Sequence, residues 1–158
     1  MAKKRWPLAV VFDLDGTLID SAPDIAFALN TALAKYGLAP FSIDDVKTMI
    51  GGGISKLAER ALLARGALAV EPPALVSDFI AVYRGNLTAR TVLYDGAREL
   101  LERMAHDGIR LGLCSNKEQS LTAAILDRLD IARYFHCVIG EGLGFARKPD
   151  PEPLRATL

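Results

Sequence analysis

The hydrophobic pattern of the chain changes twice along its length. Apolar runs at Leu8–Phe12, Ile109–Cys114 and Cys137–Gly140 are typical of strands in a parallel sheet, and the first of them shows no polar alternation. Helical spacing of apolar residues predicts helices over 97–106 and 120–129, on either side of the second run. Strands that alternate with helices indicate an α/β fold with a doubly wound, Rossmann-like parallel sheet.

A long segment between the first two apolar runs has helical periodicity throughout. Residues 21–91 divide into four predicted helices with no strand between them, broken at Gly51-Gly52-Gly53 and reopened at Pro72-Pro73. Two of these helices begin with the spacing of a capping box, in which a serine and an acid three residues later bond each other's main chain. We therefore expect a core domain of residues 1–20 and 92–158, into which a helical domain of residues 21–91 is inserted. The capping pairs are Ser21 with Asp24 and Ser42 with Asp45.

Two carboxylates stand directly after the first predicted strand. Asp13 and Asp15 follow Phe12 with one residue between them, and Gly16 turns the chain away. Because ligands of open α/β sheets bind at the carboxyl ends of the strands, this strand delivers two acids to the expected binding edge. The alternative interpretation is a solvated Asp-Gly turn without chemistry.

The net charge and the cysteines limit which kinds of ligand and cellular location we expect for the chain. The 158 residues carry 19 Lys and Arg against 19 Asp and Glu, and this zero net charge argues against binding nucleic acid or a membrane surface. Cys114 and Cys137 have no CxxC partner and lie in apolar runs, so we expect free thiols, no zinc site and a reducing, cytoplasmic location. The basic start Lys3-Lys4-Arg5 precedes no cleavage site, and no run reaches membrane-spanning length.

Three segments together resemble the motifs of a known enzyme family. VVFDLDGTLIDS at residues 10–21, the strand that ends in Ser115-Asn116, and Lys148-Pro149-Asp150-Pro151 occur in the order of the first three motifs of haloacid dehalogenase superfamily phosphatases. SAPDI at residues 21–25 and the glycine-rich segment make the chain most similar to the phosphoglycolate phosphatase-like branch. The resemblance implies that residues 21–91 form a helical cap domain.

The resemblance implies a role for each motif residue. Asp13 is the implied nucleophile at phosphorus, and Asp15 is the implied general acid and base. Lys148 is implied to neutralise the phosphate and the nucleophile, whereas a lysine taken alone is more often solvated. Mg²⁺ is the implied cofactor, with the Asp13 carboxylate and the Asp15 backbone carbonyl among its ligands. The implied reaction is hydrolysis of a small phosphate monoester, 2-phosphoglycolate first, through an aspartyl-phosphate.

Further residues are implied to bind the substrate. Gly51-Gly52-Gly53 would let the cap approach a short anionic substrate closely, and Lys56 would meet a second anionic group. The alternatives are a plain helix terminator and a solvated lysine. Hydroxyl residues in the phosphate set could instead only cap a turn or the next helix. The implied phosphate-binding residues are Thr17, Ser115, Asn116 and Lys148.

The resemblance has one departure. The family's fourth motif, an acidic Gly-Asp strand end that supplies another metal ligand, should follow Lys148, but no Gly-Asp pair occurs between Lys148 and Leu158. We therefore expect the first two-thirds of a phosphatase, with an incomplete sheet and little activity. The strand Leu8–Phe12 would then be an exposed apolar edge through which the chain could self-associate.

Other functions use the same motifs. The missing motif favours a catalytically silent fragment or an interaction protein. A sugar-phosphate mutase would share all the motifs, and a phosphonoacetaldehyde hydrolase would use a cap lysine, for which Lys47 and Lys56 are present. A dehalogenase would not need the second acid, so Asp15 argues against that chemistry. The expected partner in the leading interpretation is a small phosphorylated metabolite.

Overall fold

The computed structural model describes residues 7–158, and the basic start at Lys3-Lys4-Arg5 lies outside them. The described chain forms a core unit, which runs to Leu18 and resumes over Leu93–Leu158, and a helical unit of Ile19–Val92. The strands are β1 (Ala9–Phe12), β2 (Ile19–Asp20), β3 (Val92–Leu93), β4 (Arg110–Glu118) and β5 (Cys137–Glu141). The α-helices are α1 (Ala22–Ala34), α2 (Ile43–Met49), α3 (Gly53–Ala64), α4 (Pro72–Tyr83), α5 (Ala97–His106), α6 (Gln119–Arg128) and α7 (Glu152–Thr157).

The core unit is built on a parallel sheet in the order β1-β4-β5. Ala9 is the register partner of Arg110, and Gly112 is the register partner of Cys137. The helices α5 and α6 alternate with these strands along the chain, which confirms the predicted α/β fold with a parallel sheet. The strand β4 continues to Glu118, four residues beyond its predicted end at Cys114.

The strand β1 lies at an edge of the sheet formed by the described residues. It pairs with β4, and all four of its residues are half-buried, whereas β4 is buried from Leu111 to Asn116. An apolar run without alternation therefore predicts a strand correctly but overstates the burial of β1, because burial depends on a neighbour on each side. Self-association through this edge stays a prediction.

Two glycines in the sheet mark close contacts within the core unit. A Cβ at Gly112 would lie 2.6 Å from Thr157 Cγ2 of α7, and a Cβ at Gly140 would lie 2.8 Å from the backbone of Gln119. Glycine in a strand interior often marks such a close approach. Gln119 also brackets β5, since its side chain accepts from Gly140 N and donates to Val138 O. The helices α6 and α7 are thus held tightly against the strands.

The helical unit contains the four helices α1–α4, and no strand lies between them. Their shared core includes the fully buried side chains of Leu29, Leu33 and Leu75. The strands β2 and β3, where the chain enters and leaves this segment, pair as a two-stranded sheet. The helical periodicity of residues 21–91 therefore corresponds to helices in the folded chain.

The two predicted capping boxes have opposite outcomes. At α2, Ser42 Oγ accepts from Asp45 N at 3.1 Å and Asp45 Oδ2 accepts from Ser42 N at 3.0 Å, which confirms the predicted box. The box predicted at α1 is wrong, because Ser21 makes no side-chain cap bond. Asp24 instead accepts hydrogen bonds from Arg90 and Thr91, and these tertiary donors replace the local one.

Candidate active site

Asp13 follows the last residue of β1, so its carboxylate stands at the carboxyl end of the sheet. Leu14 N donates to Asp13 Oδ1 at 2.8 Å, which fixes one carboxylate oxygen against its own main chain. The chain then turns, with Thr17 N and Leu18 N both donating to Leu14 O. Gly16 has φ +76° in open surroundings, so the turn requires a glycine for its backbone conformation rather than for space.

Lys148 brings a cation to Asp13. Its Nζ lies 2.9 Å from Asp13 Oδ1 and also donates to Cys114 O at 2.7 Å. The Asp13 side chain keeps 42% of its surface exposed, so a ligand can reach the carboxylate beside the lysine. The predicted nucleophile and the predicted phosphate-neutralising lysine are therefore in contact, which sequence spacing alone did not establish.

Asn116 holds the backbone of Lys148. Lys148 N donates to Asn116 Oδ1 at 2.9 Å, and Asn116 Nδ2 donates to Lys148 O at 3.1 Å. Both polar ends of a buried side-chain amide thus bind the backbone of one residue, through its N–H and its carbonyl oxygen. The observed contacts make Asn116 a support for Lys148, and its contact with a phosphate stays a prediction.

Ser115 is buried next to this support, and its hydroxyl accepts from Lys117 N at 3.2 Å. The alternative that Ser115 caps the following helix is not what the structure shows, because Glu118 is the N-cap residue of α6. Thr17 is exposed beside the Asp13 turn. Both hydroxyl residues lie on the same unit as Asp13, and their contacts with a phosphate stay predictions.

The sequence interpretation missed Lys117, which pairs with the second acid. Its Nζ donates to Asp15 Oδ1 at 3.0 Å and to Asp15 Oδ2 at 2.9 Å. This pair is almost fully enclosed, with 8% of the Lys117 side chain and 13% of the Asp15 side chain exposed. The sequence did contain a signal that could have identified Lys117, because it is a basic residue directly after Ser115-Asn116, near the carboxyl end of a strand that neighbours β1.

The residues implied to reach the substrate from the cap belong to the helical unit. Gly51 has φ +112°, Gly52 is the N-cap residue of α3, and Gly53 is its first residue. The exposed Lys56 pairs with Glu59 at 2.6 Å. The glycines thus do terminate one helix and start the next, and their approach to a substrate stays a prediction.

Two general findings bound the chemistry of the described chain. Within residues 7–158, no three His, Cys, Asp or Glu side chains gather as a metal site made of side chains would require. No helix in the same range is long and apolar enough to cross a bilayer.

Comparison with known proteins gives a consistent result. The family model of the haloacid dehalogenase-like hydrolases matches residues 10–158. The chain is 42% identical over 150 residues to a phosphoglycolate phosphatase of Cereibacter sphaeroides, covering 94% of this chain and 69% of that protein. It is 40% identical over 151 residues to a phosphoglycolate phosphatase of Caulobacter vibrioides, covering 94% of this chain and 64% of that protein. The crystal structure of a predicted phosphoglycolate phosphatase from Haemophilus somnus superposes with a TM-score of 0.88 at 30% identity, covering 94% of this chain and 69% of that one.

The chain therefore belongs to the haloacid dehalogenase-like hydrolase family, among its phosphatases. The resemblance inferred from the three motifs is confirmed. The chain spans about two-thirds of the length of these relatives.

Proposed function

We propose that this protein hydrolyses a small phosphate monoester, 2-phosphoglycolate first, through an aspartyl-phosphate on Asp13. The observation that carries the proposal is the contact of Asp13 with Lys148 at the carboxyl end of β1, with Asp15 two residues further on. Relatives about 40% identical are phosphoglycolate phosphatases, which supports the choice of substrate.

The chemistry requires two displacements at phosphorus. In the first, an Asp13 carboxylate oxygen attacks phosphorus, the bond from phosphorus to the ester oxygen breaks, and the protonated Asp15 carboxyl gives its proton to that oxygen. In the second, water attacks the same phosphorus while Asp15 takes a proton from it, and the bond to Asp13 breaks. Inorganic phosphate leaves, and the free Asp13 carboxylate is restored.

Charge stabilisation in this scheme comes from Lys148. Phosphoryl transfer depends mainly on positioning and on neutralising charge that spreads over the phosphoryl oxygens. The ammonium of Lys148 already lies 2.9 Å from an Asp13 oxygen, so a phosphoryl group on Asp13 would be next to this cation. The hydroxyls of Ser115 and Thr17 would donate to phosphate oxygens.

Mg²⁺ is the proposed cofactor. The Asp13 carboxylate and the Asp15 backbone carbonyl would hold it, and hard oxygen donors of this kind suit an ion that keeps several waters. The bound ion would neutralise phosphate charge during transfer. We further propose that the helical unit acts as a lid, in which Gly51-Gly52-Gly53 and Lys56 meet the substrate, and that the protein works in the cytoplasm.

Replacement of the nucleophile tests the proposal. Asp13→Asn should abolish phosphate release from 2-phosphoglycolate with Mg²⁺, because an amide is a poor nucleophile at phosphorus. The control is Asp44→Asn, which removes an exposed carboxylate at the start of α2 and should leave the rate unchanged. Mass spectrometry of acid-quenched protein should find one added phosphoryl group in the wild type and none in Asp13→Asn. Full activity in Asp13→Asn excludes this nucleophile, and a wild type without turnover supports a catalytically silent chain.

A further inference from the structure

Lys117 has no part in the reaction as proposed above, yet it contacts one of the residues that carry it. We propose that Lys117 is a positioning residue that holds the carboxyl group of Asp15 in the orientation needed for proton transfer to the leaving group. The inference rests on the proposed function, since it assigns a support to the acid and base of that reaction.

The geometry of the pair is the first argument. Lys117 Nζ lies at nearly equal distances, 2.9 and 3.0 Å, from the two oxygens of Asp15. A donor placed between both oxygens fixes the position of the carboxyl group and the direction in which its two oxygens point. Because Lys117 holds the carboxyl group before the substrate binds, the entropic cost of reaching the proton-transfer geometry is lower.

The enclosure of the pair is the second argument. Lys117 is a strongly hydrated type of side chain that is seldom buried without a partner, yet only 8% of it is exposed. A buried ion pair is weak evidence for a gain in stability, because the loss of hydration offsets much of the attraction. A role in orienting Asp15 explains why a charged pair occupies this position.

Lys117 can keep this contact through the catalytic cycle. An ionised Asp15 accepts N–H bonds on both oxygens, and a protonated Asp15 still has a carbonyl oxygen that accepts from the same ammonium. The hydroxyl oxygen is then directed away from the lysine, toward whatever group receives its proton. The same support thus serves the acid and the base forms.

The neighbours of Lys117 form one continuous support. Ser115 Oγ accepts from Lys117 N, Asn116 binds the peptide of Lys148, and Lys117 binds Asp15. Three successive residues of β4 therefore hold the backbone of Lys117, the backbone of Lys148 and the carboxyl group of Asp15. A shift of Lys117 away from Asp15 would remove one of these connections and leave the other two.

Kinetics with three esters test the catalytic consequence. Leaving-group protonation matters for alkyl esters such as 2-phosphoglycolate and glycerol 2-phosphate, and it matters little for p-nitrophenyl phosphate. Lys117→Met should lower kcat/KM for both alkyl esters by about 10–100-fold and for the nitrophenyl ester by less than about 3-fold. The loss is smaller than that expected from removing the general acid itself, because Asp15 is still present. In an Asp15→Asn background the same change should have no further effect on the alkyl esters.

The control and the contrary outcomes are distinct. Lys35→Met removes an exposed lysine paired with Asp78 in the helical unit and should leave all three rates unchanged. Equal losses on all three esters would assign Lys117 a purely structural role and overturn the proposal. A loss on 2-phosphoglycolate alone would make Lys117 a receptor for the substrate carboxylate and also overturn it.

A spectroscopic measurement tests the positioning without turnover. The carboxyl ¹³C resonance of Asp15, identified by its absence in Asp15→Asn, should shift or broaden in Lys117→Met and return close to its original position in Lys117→Arg. Lys35→Met should leave it unchanged. If Lys117→Met does not fold, Lys117→Gln, which keeps an N–H donor without the charge, takes its place. A resonance that is the same in Lys117→Met and in the wild type overturns the positioning role. If the resonance shifts in Lys117→Met but the wild type cleaves none of the esters, the positioning role stands and the proposed function is rejected.

Discussion

Two enclosed carboxylates, one in each unit, are held in different ways. In the helical unit Asp24, only 1% exposed, accepts from Arg90 N at 2.9 Å, from Thr91 N at 2.8 Å and from Thr91 Oγ1 at 2.8 Å. In the core unit Asp15 accepts from the ammonium of Lys117. Two of the three donors to Asp24 are fixed parts of the main chain, whereas Lys117 donates to Asp15 with the end of a flexible side chain.

The kind of donor that holds each carboxylate distinguishes a structural role from a catalytic one. A carboxylate surrounded by backbone N–H groups cannot move or change its partners unless the local backbone opens. Asp24 therefore ties the start of α1 to Arg90 and Thr91, directly before β3. A carboxylate held by the end of a lysine side chain can keep that partner and still turn one oxygen toward a substrate atom without any change in the main chain. Burial of an acid is therefore a poor guide to catalysis, and the kind of donor that holds the acid is a better one.

The largest expected effect is on turnover. Asp15→Asn should lower the rate on 2-phosphoglycolate by about 10²–10⁴-fold, because it removes the general acid and base. Asp24→Asn, assayed below its melting temperature, should lower the same rate by less than about 10-fold, because Asp24 moves no proton. Steady-state phosphate release measures both. A greater loss in Asp24→Asn than in Asp15→Asn would reverse the comparison.

The next largest effect is on stability. Asp24→Asn places an NH₂ group where two backbone N–H groups and a hydroxyl need acceptors, so we expect the free energy of unfolding to fall by at least about 2 kcal/mol. Urea denaturation monitored by circular dichroism measures the change. Asp44→Asn on the exposed start of α2 is the matched control and should differ little from the wild type. Equal midpoints for Asp24→Asn and the wild type would show that the Asp24 bonds add nothing.

A smaller effect is expected from Mg²⁺. At ten times its dissociation constant, the ion should raise the free energy of unfolding by about 1.4 kcal/mol. Asp24→Asn should keep this increment and Asp13→Asn should lose it, because the Asp13 carboxylate is a proposed ligand of the ion and the Asp24 carboxylate is not. Thermal melts with and without Mg²⁺ and a chelator measure the increments. An increment that survives in Asp13→Asn places the ion elsewhere.

The smallest effect concerns Asp78, a half-buried acid of α4. Hydrogen bonds from Lys35 and then Tyr36 hold the pKa of Asp78 below its ordinary value of 3.8, and the bond to Asp78 raises the pKa of Tyr36 above 10.0. Because the pKa of Asp78 is lower in the folded state, its stabilisation is present above about pH 4 and is lost as the pH falls through the folded pKa. The raised pKa of Tyr36 gives stabilisation that is present below pH 10.0 and is lost as the pH rises further.

Denaturation of Asp78→Asn across this pH range measures that contribution. The difference in free energy from the wild type should be small and nearly constant around neutral pH, since Asp78 is only half-buried and its partner Lys35 is exposed. It should disappear at acid pH, where Asp78 is protonated, and decrease at alkaline pH as Tyr36 ionises. A loss of stability as large as that in Asp24→Asn would show that a half-buried carboxylate contributes as much as a fully buried one.

Local patterns were enough to predict most of the long elements of the fold. The helix over 97–106 has the same bounds as α5, and the box at Ser42 and Asp45 forms as predicted, because each depends on residues a few positions apart. The short helix α7 was not predicted, since its Glu152–Thr157 segment is too brief to show periodicity.

Tertiary partners account for what the sequence did not predict. Asp24 has the spacing of a capping acid at Ser21, but donors 66 and 67 residues away bind it instead. Lys117 and Asp15 are 102 residues apart, so only the pairing of β4 with β1 brings them together. The motif at Asp13 indicated which acids carry the chemistry, whereas the side chains that orient those acids depend on strand order and register.

The clamp of Asn116 on Lys148 has a consequence for engineering. Because these two bonds join Asn116 to the N–H and the carbonyl oxygen of Lys148 and not to its ammonium, they hold the backbone of Lys148 independently of its side chain. Lys148→Ala should therefore leave a preformed channel beside Asp13, shaped for a primary alkylamine supplied in the buffer. Amines of graded length added to Lys148→Ala would then replace the missing ammonium. The extent to which each amine restores the rate would measure how the position of the cation affects catalysis.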